Sequence, residues 1–350
     1  MSTPSAAPSP LATRASSRGT ESAGPPPWRR ITSLEVLCGV LVLALLAQGP
    51  LIRMLDVPAL RTGATVFVAV CVQAMPFLVL GVLVSGLIAA FMPPAVLHRL
   101  LPRRAVAAVP VAGVAGMVLP GCECASVPVS RRLMQLGVPP AAALTFLLAA
   151  PAVNPVVLVS TAVAFPGELR MVAARFLGSL GTAVVMGWLW VRFGRAEWIA
   201  ERALRRCERA PGRSSFAVCT ETARHDLISS GGFLVLGGLT AAALNVLVPA
   251  SWMASLAGQM LLGILVMALL AVVLALCSEA DAFVAASLSM LPLLPRLVFL
   301  VVGPAVDVKL MALQAGAFGR GFTARFAPVT FVVAIGCAVL AGVLVLGGVR

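Results

Sequence analysis

Apolar runs of about 20 residues, the length a helix needs to cross the hydrocarbon of a bilayer, recur along this chain at 34–53, 64–91, 105–121, 141–165, 171–193, 227–250, 256–277, 296–318 and 326–349. In lipid every backbone N–H and C=O must be satisfied inside the protein, so such runs commit a chain to helices. Irregular backbone is tolerated only where protein buries it or where it lines a wet cavity. Composition agrees, with 60% hydrophobic residues, 11% charged residues and a mean hydropathy of +1.02. The expectation is an all-α, multi-pass membrane protein, with the nine runs as a floor because a broken segment can cross twice.

The net charge of +13 does not point to nucleic acid. The basic residues sit in short loops beside apolar spans, where they act as orientation signals. All of them are Arg except Lys309, and the eight cysteines are scattered with one close pair, Cys122 and Cys124, so no disulfide framework is implied. Cys38, Cys71 and Cys337 read as small apolar fillers. Residues 1–30, rich in Ser, Pro and Ala, read as a disordered cytoplasmic tail, and 31–53 as a retained extra helix with no A-x-A cleavage site. Eight Arg against four Glu between Arg192 and His225 mark 194–225 as a cytoplasmic linker.

The part after the linker restates the part before it. F-L-V-L-G at Phe77–Gly81 recurs at Phe233–Gly237, 156 residues later, and that register carries Leu83 onto Leu239, Pro93 onto Pro249 and Glu123 onto Glu279. After a slip of three, P-A-V-N at Pro151–Asn154 falls on P-A-V-D at Pro304–Asp307. After a further slip of three, A-R-F at Ala174 falls on A-R-F at Ala324. Matches in the same order predict two repeats, 64–193 and 226–350. If 105–121 and 122–136 are the limbs of a re-entrant hairpin turning at Pro120-Gly121, both Arg-rich loops fall on the cytoplasmic side and the repeats are inverted.

Paired interruptions at corresponding positions of two halves point to a transport site near the midplane. In the first half the breaks are P-G-C-E-C, with Pro120 and Gly121, and P-A-V-N-P, with Pro151 and Pro155. In the second they are C-S-E-A-D and P-A-V-D at Pro304. The candidate binding residues are Cys122, Glu123, Cys124, Asn154, Cys277, Ser278, Glu279, Asp281 and Asp307. Thiols suit soft, thiophilic or metal-like species, with Cys122 and Cys124 as candidate ligands, whereas carboxylates suit protons and hard cations. The alternative for the thiols is simple burial at a tight turn. For the acids it is internal pairing, Asp307 with Lys309 or Arg296, or Glu123 with Arg131. For Asn154 it is a hydrogen-bonded kink. Arg131, Arg132 and Arg296 read as interfacial anchors.

P-G-C-E-C-A-S-V-P-V-S, L-G-V-P, F-L-L-A-A-P-A-V-N-P, S-E-A-D-A-F-V-A and V-G-P-A-V-D-V-K resemble the permeases of the UPF0718 (DUF318) family, which includes organoarsenical efflux permeases of the ArsP type. The resemblance covers about residues 64–349. It implies a multi-spanning permease of the inner (cell) membrane and, for members that export trivalent methylated arsenicals, thiol ligation that here would fall on Cys122, Cys124 and Cys277. C-S-E-A-D in the second half is not another C-x-C, which argues against the same thiol set in both repeats.

The function expected is a secondary efflux transporter, proton-coupled, for a small thiophilic or metal-related solute, with the bilayer as partner and no cofactor. No G-x-x-x-x-G-K-[ST], H-E-x-x-H or G-x-S-x-G is present, so neither an ATP-binding nor a hydrolytic motif is in view. Two alternatives stay open: an intramembrane enzyme and a non-transporting subunit of a larger complex.

Overall fold

The structure is a computed structural model and describes residues 58–91, 102, 104–119, 123–204, 215–247, 260–288 and 291–347. The chain divides into two compact units, Met1–Asp56 and Val57–Arg350, and every described residue belongs to the second. The expected tail 1–30, the extra helix 31–53 and the turn residues Pro120, Gly121 and Cys122 lie outside the described residues.

Among the described residues all regular elements are helices: α1 (Pro58–Phe91), α2 (Ala105–Ala115, extended by a 3₁₀ turn at Gly116–Val118), α3 (Glu123–Gln135), α4 (Pro140–Val153), α5 (Pro155–Ala164), α6 (Leu169–Phe193), a 3₁₀ turn at Ala196–Trp198, α7 (Glu201–Leu204), α8 (Ser215–Leu247), α9 (Met260–Leu274), α10 (Asp281–Ser287), α11 (Leu293–Ala305), α12 (Val308–Phe318) and α13 (Arg320–Leu346). Among the described residues six stretches are long and apolar enough to cross a membrane: α1, α4 with α5, α6, α8, α11 with α12, and α13. The apolar helices α2 and α9 are shorter.

The two end-to-end pairs are the innermost elements. Their apolar windows are 78% (α4–α5) and 83% (α11–α12) buried, against 28% for α1 and for α13. The first pair is broken at one residue, Asn154, and the second at two, Val306 and Asp307. Asn154 leaves the helical region at φ −70°, ψ 154°, and its Oδ1 accepts from Val157 N–H at 2.9 Å, with Pro155 at the first helical position, where its missing N–H costs nothing. Asp307, at φ −137°, ψ 167°, accepts from Leu310 N–H through Oδ1 in the same way. Pro151 and Pro304 lie inside the last turns of α4 and α11.

Around this core α1 and α8 run antiparallel. A Cβ on Gly63 would meet Val246 at 3.3 Å, one on Gly238 would meet the Phe67 ring at 3.4 Å, and Ser85 Oγ donates to Asp226 Oδ2 at 2.9 Å. Helices α6 and α13 are also antiparallel, with Gly181 beside Cys337 and the Trp190 ring 5.6 Å from Phe322. Ala200 N–H donates to Phe318 O at 2.7 Å, so the segment after α6 lies over the end of α12. The end of α1, the end of α3, the start of α8 and the end of α12 thus share one side, called here the linker side. Helix α8 begins at Ser215, inside the stretch read from sequence as linker, because T-E-T-A-R-H-D continues the helix and docks on α1, where a Cβ on Gly86 would sit 3.0 Å from Cys219 O.

Close helix contacts rest on a few glycines. A Cβ on Gly237 would lie 2.9 Å from Lys309 Cα, one on Gly316 would enter the Phe233 ring, and one on Gly336 would meet nothing within 4 Å. Gly237→Val and Gly316→Val are each expected to lower the melting temperature of the detergent-purified protein by an amount matching about 1–3 kcal/mol of overpacking, and Gly336→Ala to leave it unchanged. Equal melting of all three would contradict the contacts.

Candidate functional site

Glu123 is the first residue of α3 and is fully buried. A carboxylate in a helix's first turn is favoured by the unpaired N–H groups there, but in this apolar setting it also needs a countercharge. Lys309, 1% exposed in the first turn of α12, supplies it, with Nζ against Glu123 Oε1. The same ammonium donates to Ala275 O at 3.3 Å and lies 3.9 Å from Cys277 Sγ. Ala275 ends α9 with φ +49°, a left-handed conformation that costs a non-glycine residue about 1–2 kcal/mol. Its carbonyl is thereby turned toward the lysine.

A second ion pair crosses between the chain's halves beside the first. Arg175, in the second turn of α6 and fully buried, donates through one NH2 nitrogen to Asp281 Oδ1 at 2.8 Å, Asp281 Oδ2 at 3.0 Å and Ser278 O at 2.9 Å. Its NH1 donates to Thr161 Oγ1 on α5 at 2.7 Å. Ser278 joins the two pairs: its carbonyl accepts from Arg175, and its hydroxyl donates to Glu123 Oε2 at 3.5 Å, the outer limit of a hydrogen bond.

Glu279 sits at the same turn. Both its carboxylate oxygens are shielded from solvent and have no hydrogen-bond partner among the described residues, and it lies within electrostatic reach of Glu123, Arg175 and Lys309. Asp307 is fully buried, with Oδ1 spent on the helix cap and Oδ2 unpartnered among the described residues. Four carboxylates (Glu123, Glu279, Asp281 and Asp307) therefore share this interior with two cations, Arg175 and Lys309, leaving two carboxylates in excess.

Of the residues singled out in the sequence, the structure brings Glu123, Cys277, Ser278, Glu279 and Asp281 together around Lys309 and Arg175. Cys124 is buried next to Glu123, and Asn154 and Asp307 cap the two half-helices. Asn154 Nδ2 also donates to Ala150 O at 3.1 Å. Cys122 lies outside the described residues, and among those described no group of three or more His, Cys, Asp or Glu is placed to hold a metal ion.

Of the internal pairs weighed as alternatives in the sequence, Asp307 lies within electrostatic reach of Lys309, whereas Glu123 and Arg131 do not meet. Glu123 takes Lys309 rather than Arg131, and Arg131 and Arg132 both face Asp226 of α8, at 3.7 and 3.8 Å, because α3 packs between α1 and α8. Arg132 is only 5% exposed, a buried partner rather than an interfacial anchor. Arg296 donates to Leu291 O from Nε at 2.8 Å and NH2 at 2.6 Å. Arg175, Thr161 and Asp226 were not singled out in the sequence. The signal for Arg175 was available, since a cation inside an apolar span marks a functional site by default.

Breaking a buried ion pair from one side costs about 3–5 kcal/mol, because it strands the other charge. Lys309→Met is therefore expected to lower the melting temperature sharply, and Glu123→Gln/Lys309→Met to recover most of the loss. A double variant as unstable as the single one would show that the two groups are not coupled.

The family model ArsP_1, described as "Predicted permease", matches residues 59–345. The "UPF0718 protein YcgR" of Bacillus subtilis (strain 168) is 34% identical over 294 residues, 81% of this chain and 96% of the relative. The "Putative two-component membrane permease complex subunit" of Streptococcus mutans serotype c (strain ATCC 700610 / UA159) is 31% identical over 287 residues, 80% of this chain and 94% of the relative. No solved structure matches. With its crossing helices, its family model and these relatives, the chain belongs to the ArsP-type, UPF0718 family of multi-pass membrane permeases.

Proposed function

We propose that this permease is a secondary efflux transporter of the cell membrane, built from two inverted repeats and exchanging a small thiophilic or metal-related solute for protons. The observation that carries the reading is the interior cluster with its two excess carboxylates. A charged group at the bilayer centre costs about 2.5–3.5 kcal/mol on insertion scales. Glu279 and Asp307 therefore carry protons in the empty state or face a cationic solute in the loaded one. Cys124 and Cys277 supply soft sulfur beside the Lys309 ammonium, and Cys122 is proposed as a further thiol ligand from the C-x-C sequence alone. Support for inverted repeats comes from the matching caps at Asn154 and Asp307 and from the antiparallel course of α1 with α8 and of α6 with α13. The Arg-rich ends on the linker side make that side cytoplasmic by the charge rule.

The name of the Streptococcus relative favours a second reading, in which the chain moves its solute only with a second membrane component. Both readings are tested together by flux in proteoliposomes of the purified chain, under an imposed pH gradient, across trivalent arsenicals, antimonite, mercury and zinc. For the species carried, Cys124→Ser/Cys277→Ser is expected to abolish uptake, and Glu279→Gln to remove its dependence on the gradient. No flux for any species from the chain alone, with flux restored by a co-purified protein, would favour the two-component reading. Cleavage of a substrate without flux would overturn both.

A further inference from the structure

The two long helices α1 and α8 do not treat the chain's two halves alike. Gly81 of α1 packs on Ala125 of α3, and Gly237, its match at the 156-residue offset, packs on Lys309 and Ala312 of α12. By the sequence register the counterpart of α3 is α10, and the counterpart of α12 is α5. Helices α3 and α12 touch, as do α5 and α10, but neither α1 with α5 nor α8 with α10 forms a packed pair among the described residues. Equivalent glycines thus grip non-equivalent helices, both of which run from the central breaks toward the linker side.

The side away from the linker lacks those contacts and holds a groove of about 420 Å³ lined by Pro155, Val156, Val159, Ser160 and Val163 of α5 and Phe283 of α10. Three of these residues are the register partners of what α8 grips on α12. At the 153-residue offset that places Pro151 on Pro304, Val156 corresponds to Lys309, Val159 to Ala312 and Val163 to Gly316. Lys309 and Ala312 lie under Gly237, and Gly316 under the Phe233 ring. In α5 the matching valines are 46%, 62% and 64% exposed. The surface that would receive α1 is built and empty of it.

We infer that α1 and α8 are the gate of this permease. They are seen here closed over α3 and α12 on the linker side, and they alternate with a state in which Phe77 and Gly81 of α1 seat on Val163, Val159 and Val156 of α5. The closed side is latched by Asp226, which faces Arg131 and Arg132 and accepts from Ser85. The gate bears directly on the site, because Gly81 presses on α3 two residues beyond Glu123 and Gly237 on the backbone of Lys309, the two partners of the central ion pair. The inference rests on the reading of the chain as a transporter of two inverted repeats.

Disulfide trapping in native membranes tests it, with flux of the unaltered chain measured in parallel. Phe233→Cys/Gly316→Cys, at the contact where a Cβ on Gly316 would enter the Phe233 ring, is expected to cross-link in the state described here, and its register counterpart Phe77→Cys/Val163→Cys in the alternate one. Oxidation should stop flux in each variant and reduction restore it. A chain that carries solute but never forms the Phe77→Cys/Val163→Cys link would overturn the gate and leave the transport reading intact. Both links forming in a chain without flux would support the motion and sink the transport reading. Should the paired variants fold poorly, the alkylation rate of Val159→Cys by N-ethylmaleimide, read by mass spectrometry, serves instead. Asp226→Asn, which weakens the latch, should slow it several-fold, and an unchanged rate would count against the gate.

Discussion

Charge buried in an apolar interior has to be answered by charge, and this chain answers it across its own midpoint. Glu123 near the start of α3 meets Lys309 of α12, and Arg175 of α6 meets Asp281 of α10, so each half completes the other. Neither pair is simply a stabilising contact. The desolvation cost of two ions can match or exceed their attraction, and hydrophobic residues of similar volume would often serve stability as well or better. What the pairs provide is register: α3, α6, α10 and α12 cannot slide past one another without stranding a charge.

The backbone breaks follow from the same requirement. A continuous helix would satisfy its own N–H and C=O groups and offer nothing to a solute. The helices stop for one residue at Asn154 and for two at Val306-Asp307, and at each a side-chain oxygen caps the second half-helix. Ala275 adds a third irregular point, its left-handed backbone turning a carbonyl onto Lys309. The breaks at Asp307 and Ala275 both lie beside Lys309, and the two broken helices are the most buried of the candidate spans among the described residues.

Much of this was legible in the residues. The apolar runs gave the helices, and P-A-V-[ND] gave the breaks, because proline and a capping side chain act locally. The Cys-Glu turns were recognisable as interruptions for the same reason. Which acid meets which base was not legible, since Glu123 and Lys309 are far apart in sequence and meet only through the packing of α3 on α12. The alternative that set Glu123 against Arg131 fails for that reason, because the side of α3 that carries Arg131 faces α8. The start of α8 was set too late because a charged stretch was read as solvated linker, when its helix continues and leans on α1.

Lys309 is the one lysine in the sequence and is almost fully shielded, held between a carboxylate, a carbonyl and a thiol. Apart from the chain's amino terminus, the whole amine chemistry of the protein is therefore concentrated at the point where its halves join. An acylating reagent that ignores arginine would mark the amino terminus at any time but reach Lys309 only while that junction is parted, making the native side chain a built-in reporter of how often the centre opens.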